Sequence, residues 1–537
     1  MLVTGRGTIA KVTYAGEENA GEINKLLHAV VDNEDEFEPW EELVTKASSL
    51  EGGVTRNSSP SAIELVRNVF DCFLAKFPLF FGYWKKYADL EFSIGGTETA
   101  EMVYERGVSC ISSCVDLWKD YCNFKIETCH NNDIIRELFE RAAEFVGLDF
   151  FAHPFWEKYI DFEERMGEST NVAKIYARLI HLPTYQFNRY YEKFRAQING
   201  TAPVESLTDA ETLEQIQGQI KAEGQSYPAN SPDLDRLLRT KIDAYYYEVY
   251  VRTQAEVGKR WDYEKAIKRG YFHVTPIEEE ELVNWRKYLD LEEGVGDYKR
   301  IAFLYERCLV ACALHEEFWL RYARWMFAQG KDEDARIIYM RASSIYVPIA
   351  EPTVRLHWAR FEEKLDNIAY ANLIHEQILE ELPGHVETMI SWAGVQRRHH
   401  GDQAALDKLE ELIKANEDVA GRLTAEQARI LWQCSGDIDK ARQLFKDRSS
   451  NYPESRDFWL DYLRFEIAQP SVDQDEAHDR IKAVYDLMRA KARFSSEIMK
   501  ELSHCYMAYL LDRGNKKAAT EYMLLDKEVN GGLDGYV

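Results

Sequence analysis

Trp84-Lys85-Lys86-Tyr87-Ala88-Asp89-Leu90-Glu91 places a Tyr three residues and a Glu seven residues after a Trp. Residues three and seven apart share one face of an α-helix. The spacing returns in Trp156-Tyr159-Glu163, Trp285-Tyr288-Glu292 and Trp459-Tyr462-Glu466. Trp118-Tyr121 and Trp319-Tyr322 keep the aromatic pair without the Glu, and Trp358-Phe361 is a softer version.

A second pattern, aromatic-x-Arg inside an apolar stripe, follows each Trp by about 20 residues: Tyr104-Glu105-Arg106, Phe139-Glu140-Arg141, Tyr176-Ala177-Arg178, Tyr305-Glu306-Arg307 and Tyr339-Met340-Arg341. Several of these second helices stop just before Pro183, Pro348, Pro383 or Pro453, as expected of a residue that cannot continue a helix. The unit is therefore a helical hairpin. It recurs every 34 residues from Trp84 to Trp118, Trp285 to Trp319 and Trp358 to Trp392, and at 38 and 39 residues elsewhere. One hairpin cannot bury its own aromatic face, whereas stacked neighbours bury it together. The expected fold is all-α, a superhelical solenoid with the Trp and Tyr residues in its core. The Glu and Arg of these faces are expected to pair, Glu91 with Arg106 for example, because a charge buried alone is costly.

Composition agrees with a packed chain: 45% apolar and 29% charged residues, with only 14 Pro in 537. The net charge of −26 repels phosphate backbones, so little or no direct RNA contact is expected. The local basic spots Lys85, Lys86, Lys259, Arg260, Lys268, Arg269, Arg397 and Arg398 remain candidate contacts for RNA or acidic partners. The nine Cys residues show no disulfide framework; Cys110 and Cys114, and Cys308 and Cys312, sit four apart without the further ligands a zinc site needs. Buried thiols in a reducing compartment are expected. Met1 to Val12 has no apolar leader run, and no apolar stretch is long enough to span a membrane.

Catalytic signatures are missing. No phosphate-binding G-x-x-x-x-G-K-[S/T] loop, dinucleotide fingerprint or G-x-S-x-G elbow occurs. His315-Glu316 and His375-Glu376 begin like a zinc-protease helix, but Trp319 and Leu379 stand where the second His belongs. The expectation is a binding protein rather than an enzyme, with no cofactor and no metal.

Along the chain, residues 1–36 read as loosely ordered and 37–198 as a first array of hairpins. Residues 199–233, rich in Gly, Pro, Ser and Asn, read as an irregular insertion around a short polar helix. A long connecting helix falls within 234–278, and a second array fills 279–537, degraded around Trp392 and Trp432. The apolar terminal helices carry Tyr506, Met507, Tyr522, Met523, Leu524 and Leu525, a candidate dimer surface, since the end of a solenoid is normally polar.

The W-x-x-Y-x-x-x-E helix followed by the Y-E-R helix resembles the half-a-TPR repeat, a TPR-like hairpin. Three longer strings narrow the likeness: Phe77 to Glu91, KRWDYEKAIKRGYFHVTP at 259–276, and YERCLVACALHEEFWLRY at 305–322. They resemble the pre-mRNA-processing factor 39 family, clearly over 40–383 and loosely beyond. The resemblance implies two half-a-TPR arrays in a nuclear component of the U1 small nuclear ribonucleoprotein that acts in 5′ splice-site recognition. It implies pairing with itself or a related half-a-TPR factor through the C-terminal array, and contact of the N-terminal array with the particle's zinc-finger C protein. The alternatives are a half-a-TPR scaffold of another RNA-processing complex, or a TPR-like peptide-binding adaptor.

Overall fold

The computed structural model describes residues 9, 12–14, 20–200, 202–223, 227–228, 231–471 and 473–531, and among them there are helices and no strands. The chain divides into two compact units, one ending at Tyr322 and the other beginning at Ala323.

In the first unit the helices are α1 (Ala20–Asp32), α2 (Phe37–Ser49), α3 (Pro60–Lys76), α4 (Phe81–Ile94), α5 (Thr97–Cys110), α6 (Val115–Thr128), α7 (Asn132–Val146), α8 (His153–Met166), α9 (Ser169–Ile180) and α10 (Phe187–Ile198). The short α11 (Val204–Leu207) and α12 (Ala210–Ala222) lead to the long α13 (Pro232–Ala266), then α14 (Glu279–Val295) and α15 (Tyr298–Ala311). The boundary falls within α16 (Glu316–Ala328). The second unit continues through α17 (Asp332–Arg341), α18 (Thr353–Lys364), α19 (Ile368–Glu381), α20 (Val386–His400), α21 (Asp402–Ala415), α22 (Ala420–Arg429), α23 (Ile438–Arg448), α24 (Arg456–Ala468), α25 (Gln474–Lys491), α26 (Ser496–Arg513) and α27 (Lys516–Asn530).

Three contacts explain the recurring residues. The Trp wedges into the turn before its own helix. Its indole N–H donates to a carbonyl six residues back, Trp84 to Pro78 at 2.8 Å, Trp118 to Ser112 at 2.9 Å and Trp319 to Ala313 at 2.7 Å. That bond satisfies a buried peptide group that the turn would otherwise strand. Trp156, Trp285 and Trp459 are buried likewise.

Next, the Tyr stacks on the aromatic of the preceding helix. Phe70 and Tyr87, Phe139 and Tyr159, Tyr263 and Tyr288, and Phe445 and Tyr462 have centroids 4.8, 4.6, 5.3 and 4.7 Å apart, with planes within 9° of parallel. Tyr104 with Tyr121 and Tyr305 with Tyr322 do the same.

Finally, the motif Glu is gripped by an Arg lying three residues before that aromatic. Arg67 grips Glu91 at 2.7 and 2.9 Å, and Arg136 grips Glu163 at 2.7 and 3.2 Å. Arg260 holds Glu292 at 2.6 and 3.0 Å, Arg336 holds Glu362 at 2.7 and 3.1 Å, and Arg442 holds Glu466 at 2.9 Å. Glu362 follows Trp358 by four residues, so the expected Trp358-Phe361 pair is corrected. Trp358 stands at the Tyr position, and Arg355, donating to the Pro348 and Val347 carbonyls, stands at the Trp position. Glu91, Glu163, Glu292, Glu362 and Glu466 are all buried. Burial pushes the Glu362 carboxyl pKa up, but hydrogen bonds from Arg336, Asn367 and Trp358 outweigh it and hold it below its ordinary value. In the Trp118 hairpin the charges are reversed: Lys125 stands at the Glu position and pairs with Glu101 at 2.7 Å.

The expected Glu91–Arg106 pair is therefore corrected, because Glu91 belongs to Arg67 on the helix before. Arg106 lies over the Trp84 ring at 5.5 Å and donates to Asp71 at 2.8 Å, and Asp71 also accepts the Tyr87 hydroxyl at 3.2 Å. The next junctions repeat this. Glu105 accepts from Tyr121 at 2.6 Å and Arg141 at 2.7 Å, and Glu140 accepts from Tyr159 at 2.9 Å and Arg178 at 2.8 Å. Tyr104-Glu105-Arg106 and Phe139-Glu140-Arg141 thus give their Arg to the hairpin behind and their Glu to the hairpin ahead.

The first segment differs from expectation. Within 1–36, residues 20–32 form α1 with Ile23, Leu27 and Val30 buried, while residues 1–8, 10–11 and 15–19 lie outside the described residues. Within 199–233, Asp209 caps α12 by accepting the Thr212 N–H at 2.8 Å, and Ile216 and Ile220 are buried.

Helix α13 does more than connect. Ser231 caps it by accepting the Leu234 N–H at 3.2 Å, Pro232 opens it, and its 35 residues span about 50 Å. It runs back along the first array. Arg239 donates to the carbonyls of Ala202 and Ile198, both at 2.7 Å. Tyr250 stacks on Tyr191 at 4.4 Å, Thr253 donates to the Ile180 carbonyl at 2.7 Å, and Val257 packs with Phe150. Beyond its end, Phe272 reaches Phe80 at 5.1 Å.

Its last turns are the second helix of a repeat: Arg260 grips Glu292, Tyr263 stacks on Tyr288, and Glu264 accepts from Tyr288 at 2.8 Å and from Arg307 at 2.6 and 2.8 Å. Arg307 also meets Asp149 at 3.2 Å. Burial alone would lower the Arg307 pKa, but Asp149 and Glu264 raise it. Hence α14 and α15 belong to the first unit, rather than opening a separate array at Glu279.

Charge reversal tests the junction. Lys125→Glu sets a carboxylate against Glu101 and should cost about 3 kcal/mol. Adding Glu101→Arg rebuilds the Arg–Glu pair and should restore most of it in denaturant titration. A double variant no more stable than the single one would overturn the pairing.

Candidate interaction surfaces

Tyr506 and Met507, expected on a pairing surface, are buried. Tyr506 occupies the Tyr position of a last repeat in which Ser503 replaces the Trp. It stacks on Tyr485 at 4.4 Å and donates to Glu521 at 2.9 Å, while Ser503 hydrogen-bonds the Tyr485 hydroxyl at 2.8 Å. Leu525 is buried too, and Tyr522 is half-buried against the same core. The correction leaves Met523 and Leu524 of α27, 65% and 68% exposed. Leu511 near the end of α26, absent from the sequence expectation, is 60% exposed. The helical period carried the signal, since Leu511 follows buried Tyr506, Met507 and Leu510 on the turn that faces away.

The basic candidates are mostly engaged within the chain. Arg260 is corrected outright: its side chain is buried on Glu292. Lys85 pairs with Asp89 at 2.7 Å, Lys259 with Glu256 at 2.6 Å, Lys268 with Glu278 at 2.7 Å, and Arg398 with Glu363 at 2.6 Å. Lys86 lies over the Tyr83 ring at 4.5 Å, and Arg269 donates to Thr275 at 3.1 Å. Arg397 is half-buried at the end of α20. Lys85, Lys86, Lys259, Arg260, Lys268 and Arg269 belong to the first unit, and Arg397 and Arg398 to the second.

The degraded repeats keep their packing with other chemistry. Trp392 donates to Asn372 at 2.9 Å under Lys408, whose Nζ lies 3.7 Å from the ring centroid. Trp432 sits in the turn after α22, edge-on to Phe465 at 5.5 Å. None of the nine Cys residues is in a disulfide. Among the described residues no cluster of His, Cys, Asp or Glu could hold a metal ion, and no helix is long and apolar enough to cross a membrane.

With this geometry in place, comparison with known proteins is decisive. The family profile described as PRP39 N-terminal HAT repeat matches residues 24–196, and the PRP39 C-terminal HAT repeat matches 258–398. Pre-mRNA-processing factor 39 of Schizosaccharomyces pombe is 42% identical over 96% of this chain and 87% of its own length. This chain belongs to the PRP39 family. The C-terminal PRP39 profile begins inside α13, two residues before Arg260, where the junctions also place the start of a repeat. The U1 small nuclear ribonucleoprotein component PRP42 of Saccharomyces cerevisiae is 21% identical over 55% of each chain. The crystal structure of CstF-77 shares the fold at a TM-score of 0.58 and 12% identity, covering 85% of this chain and 90% of that one. As HAT-repeat members, PRP39 chains are helical solenoids, which the W-Y-E and Y-E-R contacts build here.

Burial separates the two kinds of terminal residue. Tyr506→Ala should cost about 3–5 kcal/mol and raise hydrogen exchange across α25 to α27. Diluted until the chain is a single copy, Met523→Ser with Leu524→Ser should stay within about 0.5 kcal/mol of the parent. Equal melting of the two variants would contradict the assignment.

Proposed function

We propose that this protein is a non-catalytic scaffold of pre-mRNA splicing, working in the nucleus as part of the U1 small nuclear ribonucleoprotein. It supports 5′ splice-site recognition through protein–protein contacts. The observation that carries this reading is the relationship to Pre-mRNA-processing factor 39 over nearly the whole chain. The likeness to a protein named as a U1 component, PRP42, supports the particle assignment. Physically, the repeats spend their aromatics and most of their Arg–Glu chemistry on holding hairpins together. What is left outward is an acidic surface with scattered apolar side chains, suited to proteins more than to phosphate backbones.

The chain works as a pair, with itself or with a related HAT factor, through the terminal hairpin. Met523, Leu524 and Leu511 are exposed there at the end of an array, and covering such side chains yields about 25 cal/mol per Å² of apolar area. The first array is the surface offered to the particle's zinc-finger C protein. The mechanism is geometric: braced repeats set the distance between the particle core and the factors held at the other end.

Light scattering should give twice the 62.5 kDa chain mass, falling to a single chain in Met523→Glu/Leu524→Glu. An unchanged mass in that variant would remove α27 from the interface. Affinity purification from nuclear extract of the source organism should recover U1 particle proteins. Recovery of chaperones without them would overturn the splicing assignment.

A further inference from the structure

Residues 267–278, between α13 and α14, are anchored at several points. Phe272 is buried against Phe80, and Ile277 is buried as well. Glu281 accepts the backbone N–H of Lys268 at 2.8 Å and of Arg269 at 3.0 Å. Between these anchors Thr275 is exposed and precedes Pro276. Its hydroxyl lies 3.1 Å from Arg269 Nη1 and 2.8 Å from His273 Nδ1. His273 Nδ1 accepts the Thr275 N–H at 3.1 Å, so the hydroxyl donates to the imidazole and accepts from the guanidinium.

The same guanidinium has a donor to spare. Arg269 Nε is buried and has no hydrogen-bond partner, an arrangement that costs stability until an acceptor arrives. The neighbouring acidic run is largely engaged. Glu278 pairs with Lys268 and Glu279 with Arg286, each at 2.7 Å, and Glu281 holds the two amides. Pro276 biases Thr275 toward extended backbone, the conformation in which protein kinases take their substrates.

We propose that Thr275 is a phosphorylation site for a proline-directed protein kinase, and that Arg269 receives the phosphate and locks residues 267–278 between α13 and α14. In the transfer, Thr275 Oγ1 forms a bond to the γ-phosphorus of ATP as the bond to the bridging oxygen breaks. ADP leaves, and the hydroxyl proton passes to the kinase's base. The phosphate brings about −1.5 to −2 charges and three acceptor oxygens, set beside a guanidinium already in position. Charge-assisted bonds between Thr275 and Arg269 then close the loop that carries Phe272, and they stiffen it from the Arg269 amide that Glu281 already holds.

The test incubates the full chain with ATP and a cyclin-dependent kinase, and locates phosphate by peptide mass spectrometry. Hydrogen exchange of 267–278 is then followed with and without phosphate. Phosphate is expected on Thr275 and not on the Thr275→Ala chain. Exchange should slow roughly tenfold in the phosphorylated parent and much less in phosphorylated Arg269→Gln, in keeping with a few charge-assisted bonds. Circular dichroism establishes that the Arg269→Gln chain is folded; if it is not, the phosphorylated and unphosphorylated parent alone decide the point. The proposal fails if Thr275 takes no phosphate while a free peptide of 267–280 does. It fails equally if phosphorylated Thr275 leaves exchange unchanged or faster.

Discussion

The fold depends on a charge that cannot be left alone. At successive junctions a carboxylate is taken out of water on one hairpin and met by a guanidinium from the hairpin before it. Losing the guanidinium strands the carboxylate in a low-dielectric core, and the penalty is several kcal/mol. The pairs Arg67–Glu91, Arg136–Glu163, Arg260–Glu292, Arg336–Glu362 and Arg442–Glu466 therefore do more than add stability. They make sliding one hairpin along the next expensive, so register is set by electrostatics while the stacked aromatics supply adhesion. The reversed pair at Lys125 and Glu101 obeys the same rule with the signs exchanged.

Much of this was legible in the sequence. The Trp, Tyr and Glu spacing identifies the hairpin because helical periodicity is a local property, and each of those side chains packs onto its immediate neighbour. The partner of the Glu was not seen, although Arg67 before Phe70, Arg136 before Phe139 and Arg442 before Phe445 recur at a constant offset. The Arg before the aromatic reaches the hairpin ahead and the Arg after it reaches the hairpin behind, so the one pattern does not imply the other.

The terminal surface and the long helix escape the sequence for a different reason. Tyr506 has no Trp ahead of it to mark a repeat, so its place in the core shows only in its stack on Tyr485. Helix α13 meets α10 at one end and the α14 hairpin at the other. Its contacts run against chain order, and no local period records them. Lys259 and Arg260 are adjacent in sequence yet one is half-exposed and the other buried, because neighbours on a helix face about 100° apart.

Long-range bracing also changes how the protein comes into being. A simple solenoid can fold hairpin by hairpin as it leaves the ribosome, since each repeat needs only the one before it. Here Phe80 waits for Phe272 and Asp149 waits for Arg307. Between the emergence of residue 198 and that of residue 272, the first array is exposed without its brace for roughly 4–15 seconds at ordinary elongation rates. During that interval its apolar flank is open to any passing chain, so the vectorial order of synthesis leaves this half of the molecule dependent on chaperones or on rapid elongation through α13.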